Sequence, residues 1–205
     1  MLIVAGQEEV PVRYAGVPVD FEVVQIDPKS ETNDDLDYAI TTIRRNGVAI
    51  KGNIETGSLT RGVTSRNVAL RNELDLYVNV LKCQTYPGVP SRQKNIDIVI
   101  IRQNTEGEYA MLEHEYSVFE PGARNTGTSI AGKNIANPIA MLNASVDMLE
   151  HLGHRYHAEI IKSAIDKTIN EDRIHTPDLG GQATSIDVVQ NIIRHLQETT
   201  KTTNW

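Results

Sequence analysis

The sequence has one cysteine, Cys83, no excess of positive charge and no long apolar run, and each shortage removes a class of protein. A lone cysteine cannot close an internal disulfide, which suits a reducing compartment. A formal net charge of −7 and a pI near 5.4 leave no broad basic face, so neither nucleic acid nor an anionic membrane surface is expected as a partner. Any arginine cluster must then serve a small anion or a subunit contact. No apolar stretch approaches the roughly 20 residues a membrane helix needs. HExxH, CxxC, P-loop and GxGxxG patterns are all missing, so no metal or nucleotide site follows from a general motif. The N-terminal MLIVAGQEEVPVRYAG starts apolar but runs into Glu8 and Glu9, and no targeting presequence is visible.

What remains is an ordinary soluble mixture, 40% hydrophobic and 23% charged, in a chain of 205 residues, enough for one sizeable core or two small ones. Residues Val17 to Ile26 alternate as a β-strand does, and Asp27-Pro28-Lys29 ends it. A helix is expected from Asn33 to Arg45, with Asn33 as N-cap, Leu36, Ile40 and Ile43 at helical spacing, and Gly47 at C′. VAIKG follows as a short buried strand. Strand, helix, strand is the unit of a parallel sheet, so the fold class is α/β, a parallel-containing sheet flanked by helices. Residues 53 to 64 read as a loop, Ser65 to Glu73 as a short helix, and Asp75 to Cys83 as a strand. The apolar run Ile96 to Ile101 reads as a central strand buried on both faces.

The C-terminal half is expected to be helical. Asn137 caps a helix with Pro138 in its first turn and Gly153 at its end. A second spans about Tyr156 to Ile169, and a third, capped by Ser185, covers Ile186 to Leu196 before a frayed tail. At Glu115 the chain passes into YSVFEPGARNTGTS without a turn signal.

The chemistry is concentrated between Thr64 and Glu115. Asn67 and Arg71 are four apart and share a helix face, with Ser65 at its N-terminal end. An amide, a guanidinium, a hydroxyl and free backbone N–H groups can receive a carboxylate or phosphate. Spacing alone favours the plainer reading, a helix cap beside a solvated arginine. Arg102 shifts the balance, because a cation at the end of an apolar strand lies where α/β sheets bind ligands. Glu106 and Glu108 could serve as acid and base, or be solvated charge, and His114 is a lone histidine. GARNTGTSIAGKN could offer N–H groups, Arg124 and Asn125 to a phosphate, or could simply connect two elements.

Several strings together, LRNELDLYVNV, IDIVIIRQNTEGEY with LEHE, SIAGKNIANPIAMLNASVDMLEHL and HTPDLGGQATS, resemble the isocitrate and isopropylmalate dehydrogenases, in particular the mitochondrial NAD-dependent isocitrate dehydrogenases. KGNIET, RNTG and IHTPDLGGQ are more like the regulatory gamma-type subunits than the catalytic alpha-type ones. The resemblance implies a single truncated dehydrogenase-like domain over 1–205, with an α/β part and anion site at 15–115 and a glycine loop plus helical part at 116–198. It implies citrate or isocitrate at Ser65, Asn67, Arg71 and Arg102, nucleotide at Arg124 and Asn125, and Tyr109 in the place of the tyrosine that assists proton transfer.

Citrate and ADP would be effectors, an alpha-type catalytic subunit the partner, and the mitochondrial matrix the location. NAD and Mg2+ or Mn2+ would belong to the intact complex, with none bound by this chain alone. Three departures point the same way. Leu81 stands where catalytic members carry a further arginine. GARNTGTS lacks the acid of their cofactor loop. After Glu115 the segment with the dimer clasp, the catalytic lysine and the metal aspartates is missing, as is the opening strand with its GDGIGPE-like turn. A shortened splice form or gene model of a regulatory, non-catalytic subunit is therefore expected. The alternatives are a subunit with its own activity and a non-functional fragment.

Overall fold

The computed structural model describes residues 2–4, 9–27, 30, 32–54, 65–104, 116–122 and 127–203. The chain packs as two compact units, one of Met1–Gly6, Val19–Lys82 and Val99–Thr126, the other of Gln7–Pro18, Cys83–Ile98 and Gly127–Trp205.

The first unit is built on a parallel sheet. Strand β1 (Leu2–Val4) is followed by helix α1 (Glu9–Tyr14), which belongs to the second unit, and then by β2 (Glu22–Val23), helix α2 (Asp34–Asn46) and β3 (Val48–Lys51). Helix α3 (Arg66–Glu73) comes next, and β6 (Ser117–Phe119) joins much later. The strand order is β2-β1-β3-β6, every pair parallel. The expected strand–helix–strand unit is thus present as β2–α2–β3, with β1 inserted between its two strands.

The strand expected over Val17 to Ile26 shrinks to Glu22–Val23, because its partner β1 is three residues long and supplies only two pairing positions. The chain around Glu115 also hides a strand: Ser117 N–H donates to the Gly47 carbonyl at 3.0 Å and opens β6 beside β3. Three residues are too few to show a period.

Helix α2 ends as its sequence implies. Gly47 has φ 75° and its N–H donates to the Ile43 carbonyl at 2.8 Å, a left-handed C′ position that any Cβ would strain. Its N-terminus departs from expectation. Asn33 makes no side-chain cap bond; instead Asp35 accepts from Leu36 N–H at 2.9 Å and Asp27 N–H at 2.8 Å. Arg66 locks this corner, with its Nη1 on Asp35 and the Asp27 carbonyl and its Nη2 on the Ser30 and Thr32 carbonyls. Leu36, Ile40 and Ile43 from α2, Ala49 from β3 and Leu70 and Leu74 from the α3 segment close one core. Each such aliphatic side chain contributes about 1.5–3 kcal/mol when taken from water.

Strands β4 (Val78–Gln84) and β5 (Asp97–Gln103) form a separate two-stranded ribbon. Thr85 N–H donates to the Ile96 carbonyl and Asn104 N–H to the Tyr77 carbonyl, so the strands run antiparallel. The expected central strand is corrected here. β5 is exposed along its whole length, Ile101 at 73%, and among the described residues it pairs only with β4. A β-branched run encodes a strand that something should cover; it does not ensure that the same chain supplies the cover.

The second unit is helical. Asn137 Oδ1 accepts from Ile139 N–H at 3.0 Å and starts α4 (Ile139–His151), and Gly153, φ 84°, stops it. Helix α5 (Arg155–Asp166) widens into a π turn at Lys167–Glu171, burying Ile161, Ile165, Thr168 and Ile169. Helix α6 (Ser185–Thr203) differs from expectation at both ends. Thr184, not Ser185, caps it: Thr184 N–H donates to Asp187 Oδ2 at 2.8 Å while Asp187 N–H donates to Thr184 Oγ1 at 3.2 Å, a reciprocal capping box. The tail stays helical, because Arg194 bridges to Glu198 and the Thr199 and Thr200 hydroxyls bond back to the His195 and Leu196 carbonyls.

Candidate functional site

Strands β3 and β6 carry the site, and their register dictates its first contact. Ile50 pairs with Phe119, so the next residues, Lys51 and Glu120, emerge side by side at the carboxyl ends of two parallel strands. Open α/β sheets bind ligands at that end. Lys51 is only 2% exposed. An ammonium so buried needs partners, since an uncompensated charge in the interior is strongly unfavourable. Among the described residues it has three: the Glu120 carboxylate, Asn67 Oδ1 at 3.0 Å and the Gly52 carbonyl at 3.4 Å.

Helix α3 brings the other half. Ser65 is its N-cap, with ψ 131°, its carbonyl accepting from Ala69 N–H while its hydroxyl makes no cap bond. Asn67 lies in the first turn, its Nδ2 fixed on the Ile54 carbonyl at 2.7 Å, which turns its Oδ1 towards Lys51. Arg71, one turn on and on the same face, donates from Nη2 to Glu120 Oε1 at 2.5 Å. Glu120 therefore divides its oxygens between the buried Lys51 and the partly open Arg71, whose side chains are 2% and 32% exposed. Burial alone would raise the Glu120 carboxyl, but Lys51 and Arg71 outweigh it and hold it below the ordinary carboxylate range.

The expected pair Asn67 and Arg71 is thus drawn together through two residues that sequence reasoning missed, Lys51 and Glu120. The signal was available: each is a charged residue ending a short apolar strand, the same cue that singled out Arg102. Glu120 escaped because β6 itself went unread. Arg102 sits exposed on β5, and among the described residues no hydrogen bond or ion pair joins it to this group. Leu81 is half-buried on β4, its Cδ2 3.9 Å from where a Cβ on Gly122 would stand. Tyr109, Arg124 and Asn125, with Glu106, Glu108 and His114, lie outside the described residues.

The arrangement can receive an anion at Arg71, its partly open cation, with the buried Lys51 adding positive charge behind it. Among the described residues no three His, Cys, Asp or Glu side chains converge as a metal centre requires.

The sequence profile of the isocitrate/isopropylmalate dehydrogenase family matches residues 20–126 and 111–195. The gamma subunit of mitochondrial NAD isocitrate dehydrogenase from Macaca fascicularis is 32% identical over 308 residues, covering 90% of this chain and 86% of that protein. The corresponding human gamma subunit is also 32% identical over 308 residues, covering 90% of this chain and 78% of its own length. An alignment of 308 residues exceeds the 205 of this chain, so these relatives carry internal residues with no counterpart here. The two profile matches meet at 111–126, the stretch containing Glu115. The crystal structure of isocitrate dehydrogenase from Methylococcus capsulatus superposes with a TM-score of 0.81 at 18% identity, over 95% of this chain and 98% of that one, a likeness of fold.

Proposed function

The chain belongs to the isocitrate/isopropylmalate dehydrogenase family, and from that premise we propose that it acts as a regulatory subunit of a mitochondrial NAD-dependent isocitrate dehydrogenase. In this reading Ser65, Asn67, Arg71 and Arg102 receive citrate, a sensor for the tricarboxylic acid cycle, and Arg124 and Asn125 receive ADP. Their occupancy tunes a catalytic alpha-type subunit in the matrix through a subunit contact, which is allostery in the sense of two sites sharing a coupling free energy. Bound by that partner, NAD would supply the hydride acceptor for isocitrate, and Mg2+ or Mn2+ would supply stabilisation of the negative charge. This chain's own residues bind and report.

The observation that carries the reading is the cluster of Lys51 at the end of β3 with Asn67 and Arg71 of α3, a two-cation site open at Arg71. Leu81 supports it: a leucine where catalytic members carry an arginine leaves one fewer cation for gripping a reacting tricarboxylate. Adding the purified chain to a catalytic alpha-type subunit should lower its KM for isocitrate in the presence of citrate and ADP. An unchanged isocitrate response and an unchanged ADP response would refute the proposal, and NADH production by this chain alone would establish the rival reading of an active subunit. The exposed β5 favours a third reading, a fragment that does not assemble, and co-elution with the alpha-type subunit would exclude it.

A further inference from the structure

We propose that Glu120 is a built-in competitor for the anion site, its carboxylate occupying Arg71, the cation that a ligand carboxylate can reach. This inference rests on the reading of the Lys51, Asn67 and Arg71 cluster as a tricarboxylate receptor, and it adds how that receptor is gated. Three features of the geometry support it.

First, the two cations are not equivalent. Lys51 is sealed from solvent, whereas a third of the Arg71 side chain is open, so an arriving anion meets Arg71 and not Lys51. The hydrogen-bonding edge it would use is held by Glu120 Oε1 at 2.5 Å. A guanidinium offers a two-pronged fork that suits a planar carboxylate, and a side-chain carboxylate of this protein is already there.

Second, Glu120 can leave Arg71 without abandoning Lys51. Its other oxygen, Oε2, bonds the ammonium, and Lys51 is further held by Asn67 Oδ1 and the Gly52 carbonyl. Release of Arg71 therefore breaks one ion pair at a partly exposed position and leaves the buried charge compensated.

Third, Glu120 halves the positive charge of the cluster. Two cations and one carboxylate leave a net charge of one, so a tricarboxylate is drawn less strongly than Lys51 and Arg71 alone would draw it. The register of β3 and β6 places that carboxylate beside Lys51.

The test uses the full chain, titrated with citrate by isothermal calorimetry as wild type, E120Q and R71A. Glutamine keeps the shape and an acceptor for Lys51 but removes the charge that competes. E120Q is expected to bind citrate about tenfold more tightly than wild type, which corresponds to about 1.4 kcal/mol, and R71A to lose binding. A contact that merely supported the fold would weaken binding when removed, so tighter binding separates competition from a structural role. If R71A loses citrate while E120Q binds it no better than wild type, the competitor is refuted and the receptor reading survives. If no variant binds citrate, or R71A binds it as wild type does, the receptor reading falls and takes this inference with it. Should E120Q lack the wild-type circular dichroism spectrum, E120D, whose shorter side chain keeps an anion for Lys51 while drawing the carboxylate back from Arg71, carries the same comparison with the same outcomes.

Discussion

The Lys51–Glu120 pair yields an asymmetry in stability that can be worked from its geometry. Glu120→Ala removes the only anion that, among the described residues, bonds an ammonium that is 2% exposed, leaving two neutral acceptors, Asn67 Oδ1 and the Gly52 carbonyl. Breaking a buried ion pair in this way costs about 3–5 kcal/mol, chiefly because the surviving charge stays uncompensated. Lys51→Met is different. The methionine fills the apolar stem's space, and the Glu120 it leaves behind is 29% exposed and still paired with Arg71, so no buried charge is stranded. Its expected cost is about 1 kcal/mol, the scale of an unmet hydrogen bond at Asn67. The double variant should therefore be more stable than Glu120→Ala alone, since it removes the stranded cation. Urea denaturation of wild type, both single variants and the double variant gives the four free energies of a cycle. For a chain of this size the gap between the single variants corresponds to a melting difference of about 4–16 °C. Equal costs for the two single variants, or a double variant whose cost is their sum, would refute the reasoning.

Acid should act on the same group. The Glu120 carboxyl titrates below its unfolded value, so the stability it contributes is complete above about pH 4.3, the ordinary glutamate value, and is lost as the pH falls through the lower folded value. Denaturation midpoints measured downward from pH 7 should fall in that acid range, and E120Q should flatten the decline; an identical slope would count against the pairing. Gly181→Ala should be severe in the second unit, because a Cβ there would stand 2.0 Å from the His175 backbone carbonyl oxygen, and a cost above about 3 kcal/mol is expected for so hard a clash. A melting temperature within error of wild type would contradict the close approach. On β5, Ile101→Lys replaces a side chain that is 73% exposed, so stability should change by no more than about 0.5 kcal/mol while light scattering reports less self-association. A large loss of stability would show that something in the chain covers this strand.

The elements legible in advance are those whose signals are local. Gly47 after α2, Asn137 before α4 and Gly153 after it act through backbone bonds within a few residues, and the structure places each where its chemistry requires. VAIK was readable as a buried strand from four consecutive side chains alone. The failures involve a choice among nearby alternatives or a distant partner. Thr184 and Ser185 are both good caps, and Asp187 three residues on selects Thr184 by bonding back to it. The strand from Val17 was cut short by the length of β1, and the C-terminal tail was kept helical by threonine hydroxyls donating to backbone carbonyls one turn earlier.

By itself the sequence determined the family, the α/β class, and the presence of an amide and an arginine on one helix face. Periods, caps and strings of residues are properties of neighbours along the chain. Only the tertiary structure decided that Asn67 and Arg71 meet Lys51 and Glu120, 16 and 49 residues away respectively. That meeting depends on β6 aligning beside β3 in one register, and a parallel register is set by two segments at once. Tertiary structure also decided that β5 stands exposed, since burial belongs to whatever packs against a strand and not to the strand's own composition.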